Sequence, residues 1–421
     1  MNLYTSLSIL IIIATIFSYI NVRFLKLPST IGVMVIAILV SLAVVVFGRI
    51  TSTHPLPHFS ALISHIDFTK VLMGGMLNFL LFAGAINIDL KDLREEKLPI
   101  IVFSSLSVII STFVIGFALY YSLNSLLPLF HIHDKLPLIY CLLFGALISP
   151  TDAVAVLGIL KEAKVSKALE TRVAGESLFN DGVAVVLFSI IYSIVIGQET
   201  TADLTFINIS WLLIKETLGG VFVGLILGQL GSHAIKSSKD YKLAVLITVS
   251  IVMGGYMVSQ IMGISGPLTM VSAGLVIGNT KRKILSASSR EQTHLGVFWE
   301  LIDEILNAIL FLFIGFELLL IPEIGHYWLL GVVSIIVTLL ARYISIRIPT
   351  VIIPFKKKFT KGTITLLVWG GLRGGVSIAL ALSLAKGPYR EAIIAATYFV
   401  VIFSIIVQGL SISKLANKMD A

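Results

Sequence analysis

Apolar residues in this chain gather into runs close to the length of a helix that crosses a bilayer, separated by short clusters of Lys, Arg, Asp, Glu, Gly or Pro. A hydrocarbon core of ~30 Å needs roughly 20 helical residues. Cutting the runs at charged or Gly/Pro-containing breaks predicts thirteen spans, near 3–20, 30–48, 71–88, 99–124, 137–160, 172–196, 207–233, 241–261, 265–279, 294–320, 328–348, 362–385 and 391–413. The ninth is short and opens with Gly266-Pro267. The fold class this predicts is an all-α polytopic membrane protein.

Composition agrees. Of 421 residues, 57% are hydrophobic and 13% charged, and the mean hydropathy of +1.00 exceeds what a soluble domain of this size carries on its surface. The whole of 1–421 reads as one transmembrane domain with no separate soluble one. The single cysteine, Cys141, lies in an apolar run, so neither a disulfide framework nor a Cys-type metal site is expected. The first segment, Leu3 to Ile20, lacks the basic start and small-residue cleavage site of a secretory signal and reads as the first retained span. The net charge of +8 does not point to nucleic acid, because the basic residues sit in short loops and not on one solvated face with interleaved aromatics.

Those loops set the orientation, since basic loops stay cytoplasmic. One alternate set holds Arg23 and Lys26; Lys91, Arg94 and Lys97; Lys161, Lys164, Lys167 and Arg172; Lys236, Lys239 and Lys242; Lys281-Arg282-Lys283 with Arg290; Arg342 to Lys361; and Lys414 with Lys418. The other holds only Arg49, Lys70, Lys135, Lys386 and Arg390. The expectation is a multi-pass protein of the cytoplasmic membrane, N-terminus outside and C-terminus inside. A missed helix would scramble the alternation. In the largest outer loop, His54, His58 and His65 are irregularly spaced with only Asp67 to join them, and read as a solvated loop rather than a metal site.

Polar residues at depth carry the chemistry. An acid at the centre of a spanning helix costs roughly 2.5–3.5 kcal/mol even on a lenient insertion scale. Span five nevertheless contains Ser149-Pro150-Thr151-Asp152, where proline removes a backbone donor and frees carbonyls in mid-membrane. Asp152 lies about 12 Å from the cytoplasmic end, and Asp181, on span six, roughly 14 Å. Span six carries Gly175-Glu176-Ser177-Leu178-Phe179-Asn180-Asp181-Gly182, whose Glu176, Ser177, Asn180 and Asp181 share one broad helix face. Span twelve carries Gly370-Gly371-Leu372-Arg373-Gly374-Gly375, a second interrupted helix, with Arg373 about 18 Å deep. A mid-membrane guanidinium needs a carboxylate, and Glu176 is its expected partner. Asp152 and Asp181 then remain as two acids that want a proton or a metal cation.

The breaks fall on the fifth span of each half, if repeat one covers about 1–200, span 207–233 is a linker and repeat two covers about 241–413. An odd offset makes the halves antiparallel, the inverted-repeat plan of secondary transporters, with the broken helices crossing at the site. At the inner mouth, Glu300, Asp303 and Glu304 form either a cation-drawing funnel or an interfacial anchor beside the basic Lys281 to Arg290 loop. Lys215, Glu216 and Glu317, near outer helix ends, read as snorkelling or paired residues. Two other readings use buried acids. A cation channel would show a carbonyl filter, and none is present. An intramembrane aspartyl-type hydrolase would have no use for the buried arginine or for two breaks.

Thr151-Asp152, Glu176-Ser177-Leu178-Phe179-Asn180-Asp181-Gly182 and Gly371-Leu372-Arg373-Gly374-Gly375 together resemble the NhaP/NHE branch of monovalent cation:proton antiporters, a similarity over nearly the whole chain. The resemblance implies a thirteen-helix inverted-repeat homodimer that exchanges Na⁺ (or Li⁺ or K⁺) for H⁺ electroneutrally and needs no cofactor. It implies that Asp181 binds cation or proton alternately, beside Asn180 as the neutral member of the pair. Asp152, Thr151 and Ser177 are implied as supporting ion ligands, and Glu176 with Arg373 as a buried ion pair. One departure concerns cation preference: Leu80-Leu81-Phe82 is followed by Ala83 and Gly84 where many members offer a glutamate.

Overall fold

The computed structural model describes residues 3–51, 72–126, 136–152, 156–157, 160, 165–197, 206–238, 240–284, 291–317, 324–355 and 359–417, and the regular structure in them is helical throughout. In chain order the α-helices are α1 (Leu3–Ile20), α2 (Ser29–Thr51), α3 (Leu77–Ile86), α4 (Leu90–Glu95), α5 (Lys97–Ile101) and α6 (Ser107–Leu126). There follow α7 (Leu138–Ile148), α8 (Lys167–Ile196), α9 (Phe206–Ser237), α10 (Tyr241–Met262), α11 (Gly266–Ile284) and α12 (Glu291–Glu317). The last are α13 (Trp328–Ile352), α14 (Lys361–Trp369), α15 (Gly375–Leu382), α16 (Arg390–Phe403) and α17 (Gly409–Asn417).

Seven helical stretches among the described residues are long and apolar enough to cross a membrane: Ser8–Leu25, Lys97–Leu123, Lys167–Ile196, Ser210–Ser237, Tyr241–Met262, Gly325–Ile352 and Arg390–Ala416. Shorter apolar helices occupy Ser29–Val44, Gly74–Ile86 and Leu138–Ile148. In hydrocarbon every backbone donor and acceptor must be satisfied within the chain, so the apolar runs are helical despite their many Val and Ile residues. Boundaries follow capping chemistry. Asp240 accepts from the Lys242 amide at 2.9 Å ahead of α10, Thr360 accepts from the Thr363 amide at 3.1 Å ahead of α14, and Gly263 closes α10 at φ 59°. Among the described residues, a π turn joins two α-helices at Val102–Leu106, between α5 and α6, and at Ser404–Gln408, between α16 and α17.

Small residues let helices touch where lipid offers no hydrophobic drive for association. On α9, a side chain at Gly220 would meet the Ser265 carbonyl at 2.7 Å, and one at Gly228 would meet Val276 of α11 at 2.8 Å. The buried apolar residues form two clusters. The larger draws on α1, α2, α6, α7, the second half of α12 and α13 to α17, and the smaller on α3, α10, α11 and the first half of α12. Helix α8 lies between them, giving Val173 and Phe188 to the first and Leu178 to the second. Large apolar side chains such as Phe222, Leu246, Ile261 and Ile336 remain exposed on the outside.

Two loop assignments change. Arg342, counted with a basic loop, is buried inside α13, which continues to Ile352. Arg172, also counted as a loop residue, is buried in α8, which starts five residues earlier than the predicted span. Trp299, beside the acids of α12, is fully buried against Phe79, Phe82 and Phe298 and donates to Thr248 Oγ1 at 3.0 Å. The histidine loop, most of the Lys281 to Arg290 loop and the side chain of Glu317 lie outside the described residues.

Candidate ion-binding site

Helix α7 ends at Ile148, and Ser149 to Asp152 continue without helical structure. Residues 371–374 do the same between α14 and α15. The two breaks are bonded to each other. The Asp152 amide donates to the Leu372 carbonyl at 2.7 Å, and Arg373 Nη1 donates to the carbonyls of Ser149 and of Pro150, the latter at 2.9 Å. In a continuous helix these carbonyls would accept from amides four residues further on; the end of α7 leaves them open, and a guanidinium supplies several donors at one place. From the π turn, Ser404 Oγ accepts from the Arg373 amide at 2.8 Å and Gln408 Nε2 donates to the Trp369 carbonyl at 3.0 Å. The glycine at 374 is a matter of space: a Cβ there would stand 2.7 Å from the Asp152 Cβ.

Against this crossing lies α8. Thr151 Oγ1 accepts from Asn180 Nδ2 at 2.7 Å and is 3.1 Å from Ser177 Oγ, while the Thr151 amide donates to Asn180 Oδ1 at 3.3 Å. All three residues are buried. A cavity of about 850 Å³ opens beside them. Asp152, Asp181, Thr151, Ser177, Asp303, Asn307 and Glu300 lie on its wall, which extends to Asp89, Asp92, Lys167 and Glu170 at neighbouring helix ends. The sequence-predicted carboxylates Asp152 and Asp181 are therefore brought to one space, each half-buried. Asn180 is turned away from that space, its amide engaged with Thr151. Of the inner-mouth acids Glu300, Asp303 and Glu304 on α12, the first two line the cavity and Glu304 does not. Ala83 and Gly84 also line it.

The expected pairing of Glu176 with Arg373 is not formed. Glu176 Oε1 instead accepts from Arg342 Nη1 at 2.5 Å, and Arg342 Nη2 donates to the Leu367 carbonyl at 2.9 Å. Arg373 is committed to the freed carbonyls, and α13 carries a second guanidinium into the bundle beside α8. Arg342 is thus the residue that sequence reasoning missed. Its signal was a polar stripe at four-residue steps, Ser334, Thr338 and Arg342, all buried, within an apolar run. A second unforeseen pair is Arg172 with Glu96, at 2.6 Å. Among the described residues, no group of three His, Cys, Asp or Glu side chains is arranged to hold a resident metal ion.

Buried acids on a cavity at the crossing of two interrupted helices define the class of membrane-embedded secondary transporters. The profile of the family described as sodium/hydrogen exchanger, transmembrane, matches residues 10–418, and the chain belongs to that family. It is 44% identical over 418 residues to the Na⁺/H⁺ antiporter NhaP of Pseudomonas aeruginosa, covering 98% of this chain and 96% of that one. It is 33% identical to the Na⁺/H⁺ antiporter NhaH of Halobacillus aidingensis, over 90% of this chain and 91% of that one. The sodium proton antiporter MjNhaP1 of Methanocaldococcus jannaschii, solved at pH 8, shares the fold with a TM-score of 0.77 at 18% identity, covering 99% of both chains. Membership makes the chain a multi-pass transporter of the cell membrane and sets the channel and hydrolase readings aside.

Proposed function

We propose that the chain exchanges Na⁺ for H⁺ by letting one monovalent cation and one proton compete for Asp181. The observation that carries this is the meeting of Asp181 and Asp152 on one cavity wall, with the hydroxyls of Thr151 and Ser177 beside them. A cation that sheds water in the membrane needs oxygen ligands and an opposing fixed charge. Glu176 is neutralised by Arg342, so the crossing holds the guanidinium of Arg373 against the carboxylates of Asp152 and Asp181. One bound cation or one proton balances that set. Asn180, held to Thr151, contributes no second titrating acid, so one cation is exchanged for one proton without net charge movement. Li⁺ and K⁺ belong to the same cargo class, and the preference among them is tied to the cavity wall at Ala83 and Gly84.

The architecture that goes with this has thirteen spans in two inverted halves, about 1–200 and 241–413, joined by α9. The N-terminus is outside, the C-terminus is in the cytoplasm, and two copies form a dimer. The lysine and arginine bias of alternate loops and the bonding of the two breaks support it. The cavity reaches Lys167, Asp89 and Asp92 on the side of the basic loops, which supports an inward-facing site. Motion of one bundle against the other then exposes Asp181 to the outside.

Asp181→Asn in proteoliposomes tests the assignment. Na⁺-driven pH change is lost while the purified variant keeps the melting temperature of the parent. Retained exchange would overturn it.

A further inference from the structure

Near the start of α8, three side chains meet that neither the cavity nor the breaks account for. Arg172 Nε donates to Glu96 Oε2 at 2.6 Å, and the Arg172 guanidinium lies over the Phe359 ring, 4.8 Å from its centroid. Glu96 is 4% exposed and Arg172 9%. The Phe359 ring is itself held edge-on by Phe103, at 5.6 Å, and Phe355, at 5.1 Å. None of the three side chains lines the cavity.

A buried ion pair is a poor way to gain stability, since well-packed apolar residues do as well or better. Its value lies in fixing geometry, and the three residues sit where that matters. Glu96 immediately precedes α5, Arg172 lies in the second turn of α8, and Phe359 stands two residues before α14. Helix α8 carries Asp181 and α14 leads into the break that holds Arg373. On α8, Arg172, Glu176 and Asn180 follow one another at four-residue steps on one face, held by Glu96, Arg342 and Thr151 respectively. Ser177 and Asp181, also four apart, face the cavity. A rotation or slide of α8 that moved Asp181 would have to break these anchors, and Arg172 is the outermost of them.

We infer that Glu96, Arg172 and Phe359 form a positioning clamp that sets the register of α8 against α14, and through it the place of Asp181 opposite Asp152. The inference rests on the assignment of Asp181 as the exchanging carboxylate. None of the three touches the cation, so their effect is on affinity and proton competition, transmitted through α8.

Na⁺-driven H⁺ flux in proteoliposomes, measured against Na⁺ concentration at several pH values and beside the melting temperature of each purified variant, tests the clamp. Phe359→Leu keeps both charges and removes only the ring over the guanidinium. It should raise the half-saturating Na⁺ concentration roughly 10-fold, the lower end of what supporting residues contribute at metal sites, and displace the pH profile, with maximal flux retained. Glu96→Gln should do the same more strongly, and the exchange Glu96→Arg with Arg172→Glu should recover part of the loss. Wild-type half-saturation and pH profile in both Phe359→Leu and Glu96→Gln would overturn the clamp, as would flux that falls only with the amount of folded protein. Asp181→Asn in the same assay separates the two readings. If it still exchanges, the site assignment fails. If it is inactive while the clamp variants behave as wild type, only the clamp fails.

Discussion

The backbone amide of Asp152 donates to the carbonyl of Leu372 at 2.7 Å, so the two helix interruptions are tied through their main chains and not only through side chains. An acid that lines the cavity is thereby fixed to the segment bearing Arg373. Gly374 is the closest neighbour to depend on this. A methyl group there would stand 2.7 Å from the Asp152 Cβ, a distance that forces backbone or carboxylate to move. Gly374→Ala should cost about 1–3 kcal/mol of stability, as overpacking does, and abolish Na⁺-driven flux in proteoliposomes even where the protein still folds.

Glu176 and Arg342 should behave as a unit. Removing either charge leaves the other buried without its partner, at roughly 3–5 kcal/mol. Glu176→Gln and Arg342→Gln should each lower the melting temperature markedly, and the double variant should be more stable than the sum of the single losses. Arg373→Gln should not couple to Glu176 in the same cycle, because Arg373 bonds carbonyls of the first break. Additive losses for Glu176 and Arg342 would contradict the pairing.

Competition for one carboxylate fixes the sign of the pH dependence. As pH falls, more Asp181 carries a proton and less is open to Na⁺. The half-saturating Na⁺ concentration should therefore rise with acidification, by up to roughly tenfold per pH unit where one proton is displaced by one cation. Flux against Na⁺ at a series of matched pH values checks this, and a half-saturating concentration independent of pH would exclude shared occupancy.

One-for-one exchange at Asp181 also predicts indifference to voltage. With K⁺ and valinomycin clamping proteoliposomes at different potentials, the initial rate of Na⁺-driven pH change should stay constant. A rate that follows the potential in the direction of charge movement would require a second titrating group, for which Asp152 and the cavity-facing Asp303 are the nearest candidates.

Much of the molecule is legible from the chain because the causes are local or one-dimensional. Bilayer thickness sets the length of apolar runs, Pro150 cannot donate to a helix, and the glycines around Arg373 weaken one. Counting 1.5 Å per residue along each span puts Asp152 and Asp181 at matching depth, and the structure brings both to one cavity. The partner of Glu176 was not legible that way. Charge alone assigns Arg342 to the basic loop after its span, which leaves Arg373 as the guanidinium expected at depth. Arg342, 166 residues away in sequence, reaches Glu176 from a buried position within α13 that the charge pattern of the chain does not reveal. Loop assignment from charge failed at Arg172 for a related reason, since a cation paired with Glu96 and covered by Phe359 is buried as readily as an apolar side chain.

By itself, then, the sequence determined a helical membrane protein with two interrupted spans and a polar face running from Glu176 to Asp181, since each follows from hydrophobic length or backbone chemistry within one segment. Only the tertiary structure decided that Arg342 neutralises Glu176, that Arg373 holds the carbonyls of Ser149 and Pro150, and that Asn180 faces Thr151 and not the cavity. Those choices depend on the rotation of each helix about its own axis, which is set by packing against neighbours far away in the chain.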